Sequence, residues 1–199
     1  MKPTRIVTPP LGANAYLLSK ALIDVGGDTQ FILNKLSQEI KELDYLFLTH
    51  AHFDHASAAA DVQKIGCKVV MHQQEYELLK SNMSSQFFAR LEPDVLVEGN
   101  EVFEVGEFKL KVIHTPGHTS GSICLYEPEQ KWLFSGDTVF PHGSFGRVDL
   151  PGGSAFQLVK SLQTLSEMDV EMIYPGHEDP VENGNHISDS LRMAREFLI

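Results

Sequence analysis

The sequence predicts an α/β chain in which two β-sheets pack face to face and carry helices on their outer sides. Three observations lead there. The first 72 residues alternate short apolar runs with stretches of helical period, residues 95–140 are mostly strand-like runs broken by glycine and proline, and helical periodicity returns after Ser154 around one more strand. No repeat, low-complexity tract or linker divides the two halves, so one domain over residues 1–199 is expected.

Taken in order, "AYLLS" and "ALIDVGG" are apolar runs separated by Lys20, and they read as paired strands ending at Gly26 and Gly27. Asp28 can cap a helix running to about Leu43, with Ile32, Leu36, Ile40 and Leu43 on one face. "DYLFLTH" follows as a strand, and residues 56–65 as a helix with Ala59, Val62 and Ile65 inward. "KVVMH" is a further strand. Residues 73–92 are helical in propensity without a clean stripe; Met83, Phe87 and Phe88 would form either a lid over a pocket or ordinary packing under a connecting helix.

Then "VFEV", "FKLKVIHT", "SICLYE" and "KWLFSGD" alternate as strands, punctuated by Gly106, "TPGHTSG" and "EPEQ". Ser154 caps a helix bearing Leu158, Val159, Leu162 and Leu165. "EMIYPGH" is the last expected strand, and Ile187, Leu191, Ala194 and Leu198 mark a C-terminal helix.

Composition narrows the class. A hydrophobic content of 42% and a charged content of 22% are those of a globular chain. Prolines interrupt the N-terminal stretch where a signal peptide needs its apolar run, and no segment approaches the roughly 20 apolar residues of a membrane span, so a cytoplasmic protein without a membrane partner is expected. Cys67 and Cys124 are too few for a disulfide framework and read as buried core residues. A net charge of -11 opposes nucleic acid as a partner.

The chemistry concentrates in "THAHFDH", residues 49–55, directly behind an apolar strand. Positions two apart in an extended segment point the same way, so His50 and His52 can reach one ion from one side. Asp54 and His55 come after the chain turns, and can serve a second ion. Imidazole with carboxylate favours zinc, iron or manganese over calcium or magnesium. Further ligands must come from elsewhere, and "HTPGHTSGS", "FSGDTVF" and "YPGHED" each place a His or Asp at the end of an apolar strand beside glycine.

These pieces, together with "GRVDLPGG", resemble the metallo-β-lactamase superfamily, and within it the glyoxalase II-like hydrolases. The likeness runs from about Asn14 to Asp179. It implies a four-layer αββα sandwich of two mixed sheets flanked by helices. It also implies a first metal site on His50, His52 and His118, a second on Asp54, His55 and His177, and Asp137 bridging both. His114, four residues before His118, is then a neighbour of the site and not a ligand, while His72, His142 and His186 lack a ligand context, His142 alone standing near enough to edge a pocket.

The resemblance further implies a hydrolase carrying two divalent ions, zinc first, with iron or manganese as alternatives, whose shared hydroxide attacks a carbonyl. A thiolate leaving group needs little acid help, so a small acyl thioester such as S-lactoylglutathione is the expected substrate. Asp54 would orient the hydroxide or collect its proton. Arg147 would clamp a substrate carboxylate, unless it pairs with Asp149. Only 22 residues follow His177, which resembles the short members lacking a C-terminal helical domain and leaves the thiol open. The alternatives are a persulfide dioxygenase holding one iron on His50, His118 and Asp137, a lactonase, or a metal-retaining binding module. A β-lactamase and a ribonuclease Z-type enzyme fit less well.

Overall fold

The computed structural model describes residues 2–39, 42–81 and 91–199. Its first sheet holds β1 (Thr4–Thr8), β2 (Ala13–Leu18), β3 (Ala21–Ile23), β4 (Tyr45–Phe47), β5 (Lys68–His72) and β6 (Val95–Val97) side by side in chain order. β1, β2 and β3 pair antiparallel, whereas β3 to β6 pair parallel. The second sheet holds β7 (Val102–Val105), β8 (Phe108–His114), β9 (Ile123–Glu127), β10 (Trp132–Gly136), β11 (Met172–Pro175) and β12 (Val181–Glu182), again in chain order. Its pairing is antiparallel except between β10 and β11.

Parallel neighbours need a crossover, and the helices supply it. α1 (Thr29–Glu39) links β3 to β4, α2 (Phe53–Ala56) and α3 (Ala59–Gln63) link β4 to β5, α4 (Gln73–Ser81) leaves β5, and α5 (Ala155–Ser166) links β10 to β11. α6 (Asn185–Leu198) packs beside α5. The expected caps are in place: Asp28 Oδ1 accepts from Phe31 N at 2.7 Å, and the Ser154 hydroxyl accepts from Gln157 N.

Strand periodicity sorts side chains into three cores. In the fully buried β2, Ala15 and Leu17 face the helices of the first half, while Tyr16 and Leu18 face the other sheet. β5 divides likewise, with Val69 and Met71 outward and Val70 between the sheets. On the far side Cys124, Leu133 and Ile173 turn toward Leu158, Leu162, Ile187 and Leu191 of α5 and α6, and Leu125, Phe134 and Tyr174 turn inward. Helices, sheet, sheet, helices is the four-layer αββα order, with two mixed sheets. Burying one such Leu or Ile contributes about 1.5–3 kcal/mol, and the double-faced strands bury them on both sides.

Several expectations need correction. α1 ends at Glu39, so Leu43 is buried from a loop and not from the helix, while Ile40 lies outside the described residues. The helix expected over 56–65 is two short helices, 53–56 and 59–63, and Ile65 is 54% exposed because the chain has left the helix before reaching it. β1, β6 and β12 are strands that local pattern did not single out; all three are five residues or shorter and either lie at a sheet edge or carry an exposed face. The proposed lid residues Met83, Phe87 and Phe88 lie outside the described residues. Cys67 and Cys124 are buried free thiols, as expected. Among the described residues no helix is long and apolar enough to cross a membrane.

Candidate metal centre

The carboxyl ends of β3, β4, β10 and β11 meet at one end of the sandwich, the position where layered α/β folds collect their sites. Backbone bonds lock the two sheets together there. Ile123 N donates to Thr49 O at 2.9 Å, and Asn14 N donates to Gly176 O at 2.7 Å. The Asn14 amide adds bonds to Pro175 O at 2.9 Å and Glu178 O at 2.7 Å, fixing the turn that carries His177.

Into this corner the loops bring all seven expected ligands. His50, His52 and His118 offer nitrogens within 4.8 Å of one another, and Asp54, His55 and His177 offer a second set within the same limit. Asp137 stands between them: Oδ1 is 3.3 Å from His55 Nε2, and Oδ2 is 3.6 Å from His118 Nε2 and 3.7 Å from His177 Nε2. Asp54 Oδ2 is 3.2 Å from His177 Nε2.

Hydrogen bonds on the outer side of the rings determine which nitrogen faces the centre. Asp24 accepts Thr49 N on Oδ1 and the Thr49 hydroxyl on Oδ2, both at 2.7 Å. With its one proton given to Asp24, Thr49 Oγ1 accepts from His50 Nδ1 at 3.1 Å, which leaves the His50 Nε2 lone pair aimed inward. His118 Nδ1 donates to Arg147 O at 2.7 Å and His55 Nδ1 to Asp24 Oδ2 at 2.9 Å, with the same result.

The centre is built for cations. His50 Nε2 and Asp137 Oδ1 are buried with no hydrogen-bond partner among the described residues. His118 Nε2 faces His52 Nδ1 at 2.8 Å, and His55 Nε2 faces His177 Nε2 at 3.3 Å, pairs of ring nitrogens that a metal ion would reconcile. A Cβ on Gly176 would fall 2.2 Å from Asp137 Oδ1 and 2.7 Å from His55 Cε1, so the glycine of "PGH" keeps this cradle open. The donor set of imidazoles and carboxylates suits zinc, iron or manganese alike.

Charges divide the centre unequally. Burial drives the His50 imidazole well below its ordinary value, His52 down to about 4 and His118 downward, so this trio is neutral and ready to ligate. Burial also opposes a charge on His55, but Asp137 and Asp24 outweigh it and hold its pKa well above the ordinary value. The hydrogen bond to Asp54 raises His177. Burial works to raise Asp137, yet the facing imidazoles bring it down to about 2; Asp54 is lowered against burial by His177 and His55.

A cavity of about 400 Å³ opens over the centre, lined by polar groups and by Phe140 and Leu150. Arg147 lies on its rim, but Nε and Nη2 donate to the two carboxylate oxygens of Asp149 at 2.7 Å each, the pairing weighed against a substrate clamp. His114 stays outside: it stacks on His72 with ring centroids 3.8 Å apart and bonds Ser120 O. His142 and His186 contact each other away from the cavity. Two supporting residues escaped the sequence reading. Asp24 carries the same signal as the ligands, an acid at the end of an apolar strand beside glycines. Glu75, buried in the first turn of α4, carries none.

Comparison with known proteins gives the family. Residues 8–177 match the family model described as the metallo-beta-lactamase superfamily. A "Probable metallo-hydrolase" of Methanocaldococcus jannaschii is 35% identical over 83% of this chain and 87% of its own length. The hydroxyacylglutathione hydrolase GloC of Haemophilus influenzae is 30% identical over 79% of each chain, whereas the chain spans only 55% of the hydroxyacylglutathione hydrolase of Bartonella henselae. Among solved structures, the BLEG-1 B3 metallo-beta-lactamase superposes with a TM-score of 0.83 at 28% identity, covering 100% of both chains. TTHA1623 in a di-iron-bound form gives 0.78 at 29% identity, over 95% of this chain and 97% of that one.

Proposed function

Because the chain belongs to the metallo-beta-lactamase superfamily, we propose that it is a binuclear metal-dependent hydrolase of small acyl thioesters, of the hydroxyacylglutathione hydrolase type. The observation that carries the reading is the placement of Asp137, whose two carboxylate oxygens reach toward both ligand sets at once. The likeness to GloC and to a di-iron-bound chain supports it further.

His50, His52 and His118 would hold one ion and Asp54, His55 and His177 the other, with Asp137 common to both. Such a metal pair, when bound, lowers the pKa of a water and polarises an acyl carbonyl. The chain's own groups complete the reaction. Asp54, held ionised beside His177, orients the attacking water and takes its proton on a carboxylate oxygen. Phe140 and Leu150 seat the apolar part of the acyl or thiol group in the cavity. The departing thiolate, a far weaker base than an alkoxide, leaves without a general acid and takes up a proton from solvent afterwards. Arg147, two of whose donors are taken by Asp149, meets an anionic substrate only at the rim. A reducing, cytoplasmic setting suits the two free thiols, and the net charge of -11 suits a small-molecule substrate better than a nucleic acid.

Elemental analysis of the purified protein beside an S-lactoylglutathione hydrolysis assay tests the proposal. About two equivalents of zinc, iron or manganese and chelator-sensitive thiol release are expected. One iron, with oxygen uptake on a persulfide and no thioester cleavage, would replace this reading by a persulfide dioxygenase; turnover restricted to lactones would make it a lactonase.

A further inference from the structure

Glu75 is 1% exposed, and no cationic side chain is paired with it among the described residues. A buried carboxylate without a counter-ion is costly unless donors surround it. Here three do. Oε1 accepts the backbone N–H of Ala51 at 2.8 Å; Oε2 accepts the Thr119 hydroxyl at 2.6 Å and the N–H of Gly121 at 3.1 Å. Burial pushes the Glu75 carboxyl up and these donors oppose it.

The identity of those donors is the point. Ala51 lies between His50 and His52, and Thr119 follows His118. The two segments come from opposite sheets and must hold three ring nitrogens within 4.8 Å of one another. Glu75 bonds both segments, one with each carboxylate oxygen. The approach is close enough that a Cβ on Gly121 would fall 2.2 Å from Glu75 N. Ser122 Oγ accepts Thr119 N at 3.0 Å and meets Thr119 Oγ1 at 2.7 Å, so the hydroxyl that donates to Glu75 is itself held in place.

We infer that Glu75 is the positioning residue of the first metal site: a buried two-oxygen clamp that sets the separation of the His50–His52 segment from the His118 segment. It acts on one ligand set only, because in the other His55 is held by Asp24 and the turn carrying His177 by Asn14. The inference rests on the two-metal reading above.

Cobalt(II) titration of the full chain tests it. Glu75→Gln keeps the shape but turns an amide N–H₂ toward a donor. In a His177→Ala background, which keeps the His50, His52 and His118 set, E75Q should raise the cobalt dissociation constant about 10–100-fold and alter the visible d–d spectrum. In a His52→Ala background, which keeps the other set, E75Q should leave both unchanged. Thr119→Val should reproduce the first loss and Thr119→Ser should restore native binding, and these variants decide the matter if E75Q does not fold. Unchanged cobalt binding in the His177→Ala background, or equal losses in both, would overturn the inference. Wild-type protein that took up no metal would defeat the proposed function as well, whereas normal wild-type uptake with an indifferent E75Q would defeat this inference alone.

Discussion

Asp24 Oδ2 stands 2.9 Å from His55 Nδ1, and this contact selects the nitrogen that His55 presents to the centre. The same carboxylate holds Thr49, and through it the ring of His50, so one acid from β3's end supports a ligand of each set.

Asp24→Asn therefore should weaken metal binding without disturbing the backbone. Asp24 has φ 57, a left-handed conformation that Asn also adopts. An amide supplies one acceptor oxygen where three donors converge, so a loss of about 10–100-fold in metal affinity is expected. Metal titration of D24N checks this; native affinity would remove Asp24 from the site's support.

Metal removal should lower thermal stability. Without an ion, the buried His50 Nε2 keeps no hydrogen-bond partner among the described residues. Metal at a hundred times its dissociation constant stabilises by about 2.7 kcal/mol, or roughly 5–10 °C in a domain of this size. Calorimetry with and without chelator measures it, and coincident transitions would contradict a ligated centre.

Acidification should empty the two sites in order. His177 and His55 hold their protons above the ordinary histidine value, so protons compete with metal at that site as soon as pH falls through the raised values. His50, His52 and His118 are depressed, His52 to about 4, and stay neutral to lower pH. Near about pH 6 the Asp54, His55 and His177 set should be the weaker binder. Metal titrations at successive pH values reveal the order, and simultaneous loss would count against it.

Arg147→Ala should change turnover little. Its guanidinium is exposed and already forked onto Asp149, and solvent screens such a surface pair so that it adds little. KM for an anionic thioester should rise less than about tenfold with kcat unaltered. A larger rise would show that substrate displaces Asp149 and recruits the arginine.

Both thiols should resist modification. Burial pushes Cys67 and Cys124 up to about 11, so only about one molecule in a thousand carries either thiolate at pH 8. Ellman titration should label neither in the native protein and both after denaturation. Rapid native labelling would mean that a core opens.

Much of this protein is legible along the chain. β2, β5 and β8 to β11 follow from apolar runs bounded by glycine and proline, and the caps Asp28 and Ser154 mark helix starts by residue type alone. His50 and His52 are recognisable by their H-x-H spacing behind an apolar strand, although β4 ends at Phe47 and both lie in the loop beyond it. Asp137 and His177 are recognisable because each ends an apolar strand beside glycine. Local pattern failed at 56–65, where the chain spends two residues between short helices, and at Ile65, which helical spacing places inside but the turn exposes.

What sequence determined by itself is the strands between the sheet edges, their two-faced alternation and the ligand residue types, since these depend on neighbours one to four positions apart. Tertiary structure alone decided that Asp24 orients His55 and that Glu75 joins the segments carrying His52 and His118, and it put Asp137 between both trios as the resemblance implies. Those relations span up to 82 residues between Asp137 and His55 and cross from one sheet to the other. They arise only when the layers pack and bury polar groups that must then find partners, and no periodicity along the chain encodes which partner will be near.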